Sequence, residues 1–472
     1  MNHKRSFNYS LLVLPFMALL LLLACSTSTS PLFHCEGGDS TIYKLLGLGI
    51  LHGRLPYVDL FDNKGTYLYL INALGQWMIP GRCGIFLLQV ISLAITSFYL
   101  YRTAELFCKP KKALASTVIS LFLLTGCYQG GNHVEEYMLP FMAVSFFLVS
   151  ELFVKQAPKP AGLPFRSLVW GLCFGVVFML RPNDAVAFFG GLMMGVTGWL
   201  LYRKDMKKAV VSTLFFLLGA LVAMTPILIW YFNEDALSDL WFAMFGANSQ
   251  RAGGLGGQFS TVFKWGKWAI LLLMVVLCVM IANTQYRPLF WFVVPICLIQ
   301  LLLIGEKMYA HYFIPLLPLL SLFIMMLLCQ NNKSMVVLVV AVLCLSHRPL
   351  PRMAALNLVN VSKQMISEFE HPQPLTSCPI PDAEKDSVWN YSADPWRNGV
   401  PLSWLVNNDI VQRNRKMGSP DEYVQEIDFD DANPLWVVSY EDEFEQDESS
   451  ARFAFVDEVK TEYYTLRFYK RR

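Results

Sequence analysis

Residues 34–77 read HCEGGDSTIYKLLGLGILHGRLPYVDLFDNKGTYLYLINALGQW and follow directly on the first apolar run of the chain. Within them Glu36, Asp39, Asp59 and Asp62 supply carboxylates, Lys44, Arg54 and Lys64 supply cations, and two apolar runs lie between the charges. Large apolar residues fall at Ile42, Leu45, Leu46 and Ile50, then at Tyr67, Leu70, Ile71, Leu74 and Met78, the spacing of helices with one greasy face. Each run is about 12 to 15 residues, short of the ~20 that a bilayer crossing needs, so both read as helices lying in a membrane interface.

The rest of the chain supplies the membrane. Hydrophobic residues make up 55% of the 472 and charged residues 16%, against about 25% charged in soluble domains. The net charge of +2 hides a division: residues 347–472 hold 14 Lys or Arg and 22 Asp or Glu, a net of −8, leaving +10 for the first 346. Apolar spans run approximately over 9–25, 84–101, 113–128, 137–154, 167–180, 184–202, 209–231, 267–283, 288–304, 312–329 and 334–346. With the N-terminus inside, every inward connection is basic, from Lys109, Lys111 and Lys112 through Arg203, Lys204, Lys207 and Lys208 to Lys333, as the positive-inside rule requires. The outward connections are then 34–82, YQGGNHVEEY at 128–137, RPND at 181–184, about 232–266, GEKMYAH at 305–311 and the acidic tail.

The first run ends LLAC at Cys25, which fits either a lipoprotein signal or an uncleaved first helix. In the tail, SVWNYS, LWVVSY, RFAFVDEV and EYYTLRFYKR read as strands and DEYVQEI as a helix, while YEDEFEQDESS reads as a solvated acidic surface. Most cysteines lie in or beside spans and no CxxC pair exists, so structural zinc has no support; Cys35 and Cys83 share the oxidising side, where a disulfide is permitted. Nothing points to nucleic acid, and no glycine-rich loop opens a helix to cradle a nucleotide phosphate.

Polar groups gathered just outside a membrane suit sugar transfer from a lipid phosphate. An acceptor hydroxyl loses its proton to a carboxylate, for which Asp39 is placed, and the departing phosphate gains charge that Lys64 and Arg181 can stabilise. Each residue also has a plain explanation. Asp39 can cap the first short helix, Asp62-Asn63-Lys64-Gly65 makes a good turn, and Arg181 before Pro182 can snorkel at a helix end. A lipid or sugar transporter would also be polytopic, but it should show internal repeats or mid-membrane charges; a glycan polymerase or ligase should show a large late outer loop with paired arginines.

From Asp39 to Gly75 the sequence resembles the first outer loop of GT-C glycosyltransferases, in the branch holding the aminoarabinose transferases of lipid A and the protein O-mannosyltransferases. The matching positions are Asp39, Ser40, Tyr43, Gly53, Pro56, Tyr57, Asp59, Phe61, Asp62, Lys64, Gly65, Tyr69, Asn72, Ala73, Leu74 and Gly75. The resemblance implies a catalytic base at Asp39 and a lipid-phosphate lysine at Lys64. It extends to GGNHVEEY, LRPN and YAHYFIPLLP, which add Glu135 or Glu136, Arg181, and His311 with Tyr312 as substrate-binding residues beside Tyr57 and Asp62. Thr66 stands where close relatives carry proline after Lys64-Gly65.

The resulting expectation is an α-helical polytopic protein of the cell inner membrane, with about 11 transmembrane helices and two interfacial helices in the first outer loop. Residues 1–346 would form the transmembrane domain and 347–472 a small extracytoplasmic α/β domain. The implied reaction takes a sugar from a polyprenyl-phosphate donor to a glycan, lipid or protein acceptor. No cofactor is expected; Asp39 with Glu135 or Glu136 could hold a divalent metal, which the branch does not favour. Alkaline phosphatase fused after Arg472 should be active, and a silent fusion would invert this topology.

Overall fold

The structure is a computed structural model that describes residues 10–32, 38–58, 62–79, 81–128, 130–155, 162–247, 274–277, 281, 286–303, 310–329, 380–381, 388–391, 400–401, 435–440, 443–446, 448–460 and 465–472. Its helices are α1 (Ser10–Cys25), α2 (Gly38–Leu51), α3 (Thr66–Met78), α4 (Cys83–Glu105), α5 (Pro110–Leu124), α6 (Val134–Lys155), α7 (Gly162–Phe178), α8 (Pro182–Ala185), α9 (Gly191–Tyr202), α10 (Met206–Asn233), α11 (Leu237–Trp241), α12 (Phe290–Leu303) and α13 (Leu317–Cys329). A π-helical turn over Val186–Gly190 joins α8 to α9, so Pro182–Tyr202 is one continuous span.

Five described helices are long and apolar enough to cross a membrane: Cys83–Glu105, Val134–Val154, Pro182–Tyr202, Met206–Asn233 and His311–Cys329. The other described runs form shorter helices, α1, α5, α7 and α12 among them. The expected span at 267–283 is described only at 274–277 and 281, and the one at 334–346 lies outside the described residues.

Packing in the bundle is inside-out. On α10 the exposed face carries Leu214, Leu217, Leu218 and Leu221, while Ser212, Gly219 and Ala220 are buried. Small residues let α10 and α7 touch backbone to backbone: a Cβ on Gly171 would overlap the Phe216 carbonyl, and one on Gly219 the Leu168 carbonyl. Ser167 and Ser212 share a hydroxyl hydrogen bond of 2.6 Å across the same seam. Apolar outside and small or polar inside is the order a hydrocarbon solvent selects.

α1 is an integral part of this packing. Leu14, Ala18 and Leu22 are at most 1% exposed, and the Ser26–Ser30 stretch that follows Cys25 is buried as well. Leu14 packs in one apolar cluster of the bundle and Ala18 and Leu22 in a second. Cys35, one half of the permitted disulfide, lies outside the described residues.

The two short helices of the opening stretch form as the spacing requires. α2 is enclosed, with Ile42, Leu45, Leu46 and Leu48 buried. α3 turns Asn72 and Gln76 inward and leaves Leu74, Trp77 and Met78 exposed, an apolar face that water would not tolerate.

In the tail, the described strands are β1 (Val388–Tyr391), β2 (Val400–Pro401), β3 (Trp436–Tyr440), β4 (Phe453–Lys460) and β5 (Thr465–Arg471), in the sheet order β2-β1-β3-β5-β4. β1 and β3 pair in parallel and the other pairs are antiparallel. Val437, Phe444, Phe453 and Tyr469 form its core. DEYVQEI lies outside the described residues, and the acidic stretch forms two short 3-10 turns in which Glu445 pairs with Arg467 at 2.8 Å.

Candidate active site

The Asp62-Asn63-Lys64-Gly65 turn docks by its backbone onto the end of α7. Gly65 N–H donates to Leu180 O (3.0 Å) and Tyr67 N–H to Met179 O (3.3 Å), so the turn is fastened one residue before Arg181. Gly65 is obligatory there, because a Cβ would penetrate the Met179 carbonyl. Two connections far apart in sequence, one carrying Lys64 and the other Arg181, thereby meet backbone to backbone.

Tyrosines hold the turn from behind. Tyr57 is in the left-handed region at φ 72°, unusual for a bulky residue, and its buried hydroxyl donates to Lys64 O (2.5 Å) and lies 3.2 Å from Thr66 Oγ1. Tyr69 accepts from Lys64 N–H (3.2 Å) and donates to Asp62 Oδ2 (3.0 Å). From α10, Tyr231 packs on the Tyr57 ring at 5.6 Å and donates to Pro56 O (3.2 Å). Tyr57 and Asp62, expected to bind substrate, thus spend their polar atoms within the turn, and Thr66 fits because its hydroxyl joins this cluster. The Lys64 ammonium reaches Asn63 Oδ1 at 2.9 Å.

Arg181 is clamped. Its Nη1 pairs with Glu135 Oε1, its Nε with Asp184 Oδ2 at 3.0 Å, and its guanidinium lies 4.3 Å from the Tyr312 ring centre. Asp184 in turn accepts from Gln300 of α12 (3.1 Å). An outward-snorkelling arginine would have none of this. Glu135 also faces His311 at 4.0 Å, and the His311 ring stacks on His133 at 4.4 Å.

The choice between the two glutamates is decided by the helix start. Glu136, three residues after His133, accepts the His133 N–H (2.9 Å) as in a capping box, and its other oxygen accepts from Gln89 (2.7 Å). Glu136 therefore closes α6 while Glu135 turns to Arg181.

Asp39 sits half-buried in the first turn of α2, one residue inside a helix that begins at Gly38, where its carboxylate complements the helix N-terminus. One turn on, Tyr43 is buried within the electrostatic field of Asp39, Asp62, Arg181 and Tyr312. Burial first, then the two carboxylates, holds its hydroxyl protonated well above the ordinary phenol range. Lys64 and Arg181 likewise both act on His311. Asp39, Lys64, Glu135, Arg181, His311 and Tyr312 are thus drawn to one end of the bundle.

His133, Glu135 and His311 place three donor atoms within 4.8 Å of one another, a set that suits a divalent transition metal. Glu135 is already engaged by Arg181, so a cation there would compete with the arginine. His133, Asp184, Gln300 and Tyr231 were not singled out from sequence. His133 and Asp184 lie within the quoted stretches GGNHVEEY and RPND, and Gln300 shows as a polar residue in the apolar run ICLIQLLLI.

Residues 3–338 match the family described as competence-induced protein Ccs4 N-terminal domain. The chain belongs to that family. No curated protein sequence matches it. Among solved structures, this Ccs4-family chain is similar to ArnT from Cupriavidus metallidurans bound to undecaprenyl phosphate, with a TM-score of 0.61 and 12% identity over 98% of each chain. Against the same ArnT in the apo state the TM-score is 0.56, with 12% identity over 97% of each chain. The fold is that of ArnT over nearly the whole chain.

Gly65→Ala should lower the melting temperature of the detergent-solubilised protein, by the equivalent of about 1–3 kcal/mol of overpacking. Gly162→Ala, where nothing lies within 4 Å of the new methyl, is the control and should leave it unchanged.

Proposed function

We propose that the protein is an inverting glycosyltransferase that moves a sugar from a polyprenyl-phosphate donor to an acceptor hydroxyl or phosphate on the outer side of the cytoplasmic membrane. The observation that supports this reading is the fastening of the Lys64 turn to the backbone beside Arg181 in an ArnT-like fold, which brings the two cation-bearing stretches together. The ArnT of that fold was crystallised with undecaprenyl phosphate.

In this reaction Asp39 accepts the proton of the acceptor hydroxyl as its oxygen attacks the anomeric carbon. The bond from that carbon to the phosphate oxygen breaks on the opposite face, configuration inverts, and the lipid phosphate leaves with the bonding pair. With a phosphate acceptor the same attack needs no base. Lys64 and Arg181 bind the charge present in the ground state and the charge gained on departure. A guanidinium has five N–H donors, so Arg181 can keep Glu135 and Asp184 and still serve the phosphate. α2 and α3 lie in the membrane interface, and the exposed Leu74, Trp77 and Met78 of α3 meet lipid. The acidic tail lies outside, where it supports the site and docks the acceptor.

Deleting the gene in the source organism and comparing lipid-linked sugars and surface glycans by mass spectrometry tests the reaction. A polyprenyl-phosphate sugar should accumulate while a glycan is truncated; unchanged pools would refute the proposal. On complementation, Asp39→Asn should cut transfer by about 10² or more with the fold retained. Lys64→Ala and Arg181→Ala should lose donor binding as well as turnover.

Transfer is expected to proceed without a metal, because the carboxylate of the three-donor cluster is already paired with Arg181. Membranes washed with EDTA should keep their activity to within about twofold; loss restored by Zn²⁺ would instead assign His133, Glu135 and His311 to a metal.

A further inference from the structure

Asn132 lies outside the reacting groups, yet it joins α2, which carries Asp39, to α3, which follows the Lys64 turn, and to α6, which carries Glu135. It is fully buried, and its φ of 61° lies in the left-handed region, directly after Gly130 and Gly131 at 104° and 82°. Its amide donates to Ser40 Oγ on α2 (3.0 Å) and to Asn72 Oδ1 on α3 (2.9 Å), and its oxygen accepts from Tyr137 on α6 (2.7 Å). A buried amide with three directional bonds allows little displacement, since each bond left unmade in a dry site is costly. Ser40 follows Asp39 directly, and His133 and Glu135 follow Asn132 within three residues.

We propose that Asn132 is a positioning residue: through Ser40 it fixes the first turn of α2, and with it Asp39, against the loop that carries His133 and Glu135. This rests on the transferase reading given above. The alternative is a backbone role alone, in which asparagine is present because it tolerates the left-handed conformation. Glycine tolerates it better and has no amide, so Asn132→Gly separates the two.

The test uses the full-length protein in a strain lacking its own copy, with the product glycan measured by mass spectrometry, and purified protein in nanodiscs with undecaprenyl phosphate as probe. In Asn132→Gly the product should fall about tenfold or more, while undecaprenyl phosphate still raises the melting temperature as in the wild type, because the cation pair is untouched. Ser40→Ala should lose part of the product, and the double variant should be no worse than Asn132→Gly alone. Wild-type product in Asn132→Gly would overturn the proposal, as would parallel loss of product and of the undecaprenyl-phosphate shift. If Asn132→Gly does not fold, Ser40→Ala decides, and unchanged product there overturns it. Full product in Asp39→Asn would bring down the transferase reading and this proposal together, whereas a dead Asp39→Asn beside an active Asn132→Gly would refute only the positioning role.

Discussion

The hydrogen bond from Gly65 N–H to Leu180 O is the contact on which the site depends. It is a backbone bond, so it fixes the course of the chain and not merely a rotamer, and the missing Cβ of Gly65 lets the two strands of backbone meet. Lys64 and Arg181 lie one residue to either side of it. The Arg181 charge is offset by Glu135 and Asp184, while the Lys64 ammonium is held by Asn63.

Around the pair, the end of the bundle is filled with polar groups that hydrogen-bond to one another. Ser26 and Thr29 meet Gln89, Gln89 meets Glu136, Glu136 caps His133, and Lys44 donates to Ser28 O at 2.7 Å. Backbone and side-chain groups at this depth have little water to turn to, so each loop must be satisfied by another loop. That mutual dependence couples the connections: the stretch after α1 bonds to the Gly-Gly-Asn loop before α6, and that loop bonds in turn to the first turn of α2. It also explains why most of the polar residues in these loops support the site and only a few face it.

The membrane character of the chain, the run of apolar helices, the two short helices with their polar interval and the strands of the tail were all legible in the sequence, because each is a local property of spacing and composition. So were Asp39, Lys64 and Arg181 as chemistry-bearing residues, through charge in an otherwise apolar chain and through the resemblance of residues 39–75. What spacing did not reveal was the direction in which each side chain turns. The apolar spacing of α3 marks its exposed face and not its buried one, since in a hydrocarbon solvent the greasy side faces out.

Tertiary structure alone decided between neighbours. Glu135 and Glu136 are identical in type and adjacent in sequence, yet one pairs with Arg181 and the other caps a helix, because successive positions on a helix point about 100° apart. Tyr57 and Asp62 became supports of the Lys64 turn through bonds made to groups within ten residues, whereas Gln300 and Tyr231 entered from helices distant in sequence. Sequence by itself determined which segments are helical and which residues carry charge, because propensity and patterning act over a few turns. Which charges meet was decided by a backbone contact between residues 65 and 180, a long-range closure that no local pattern encodes.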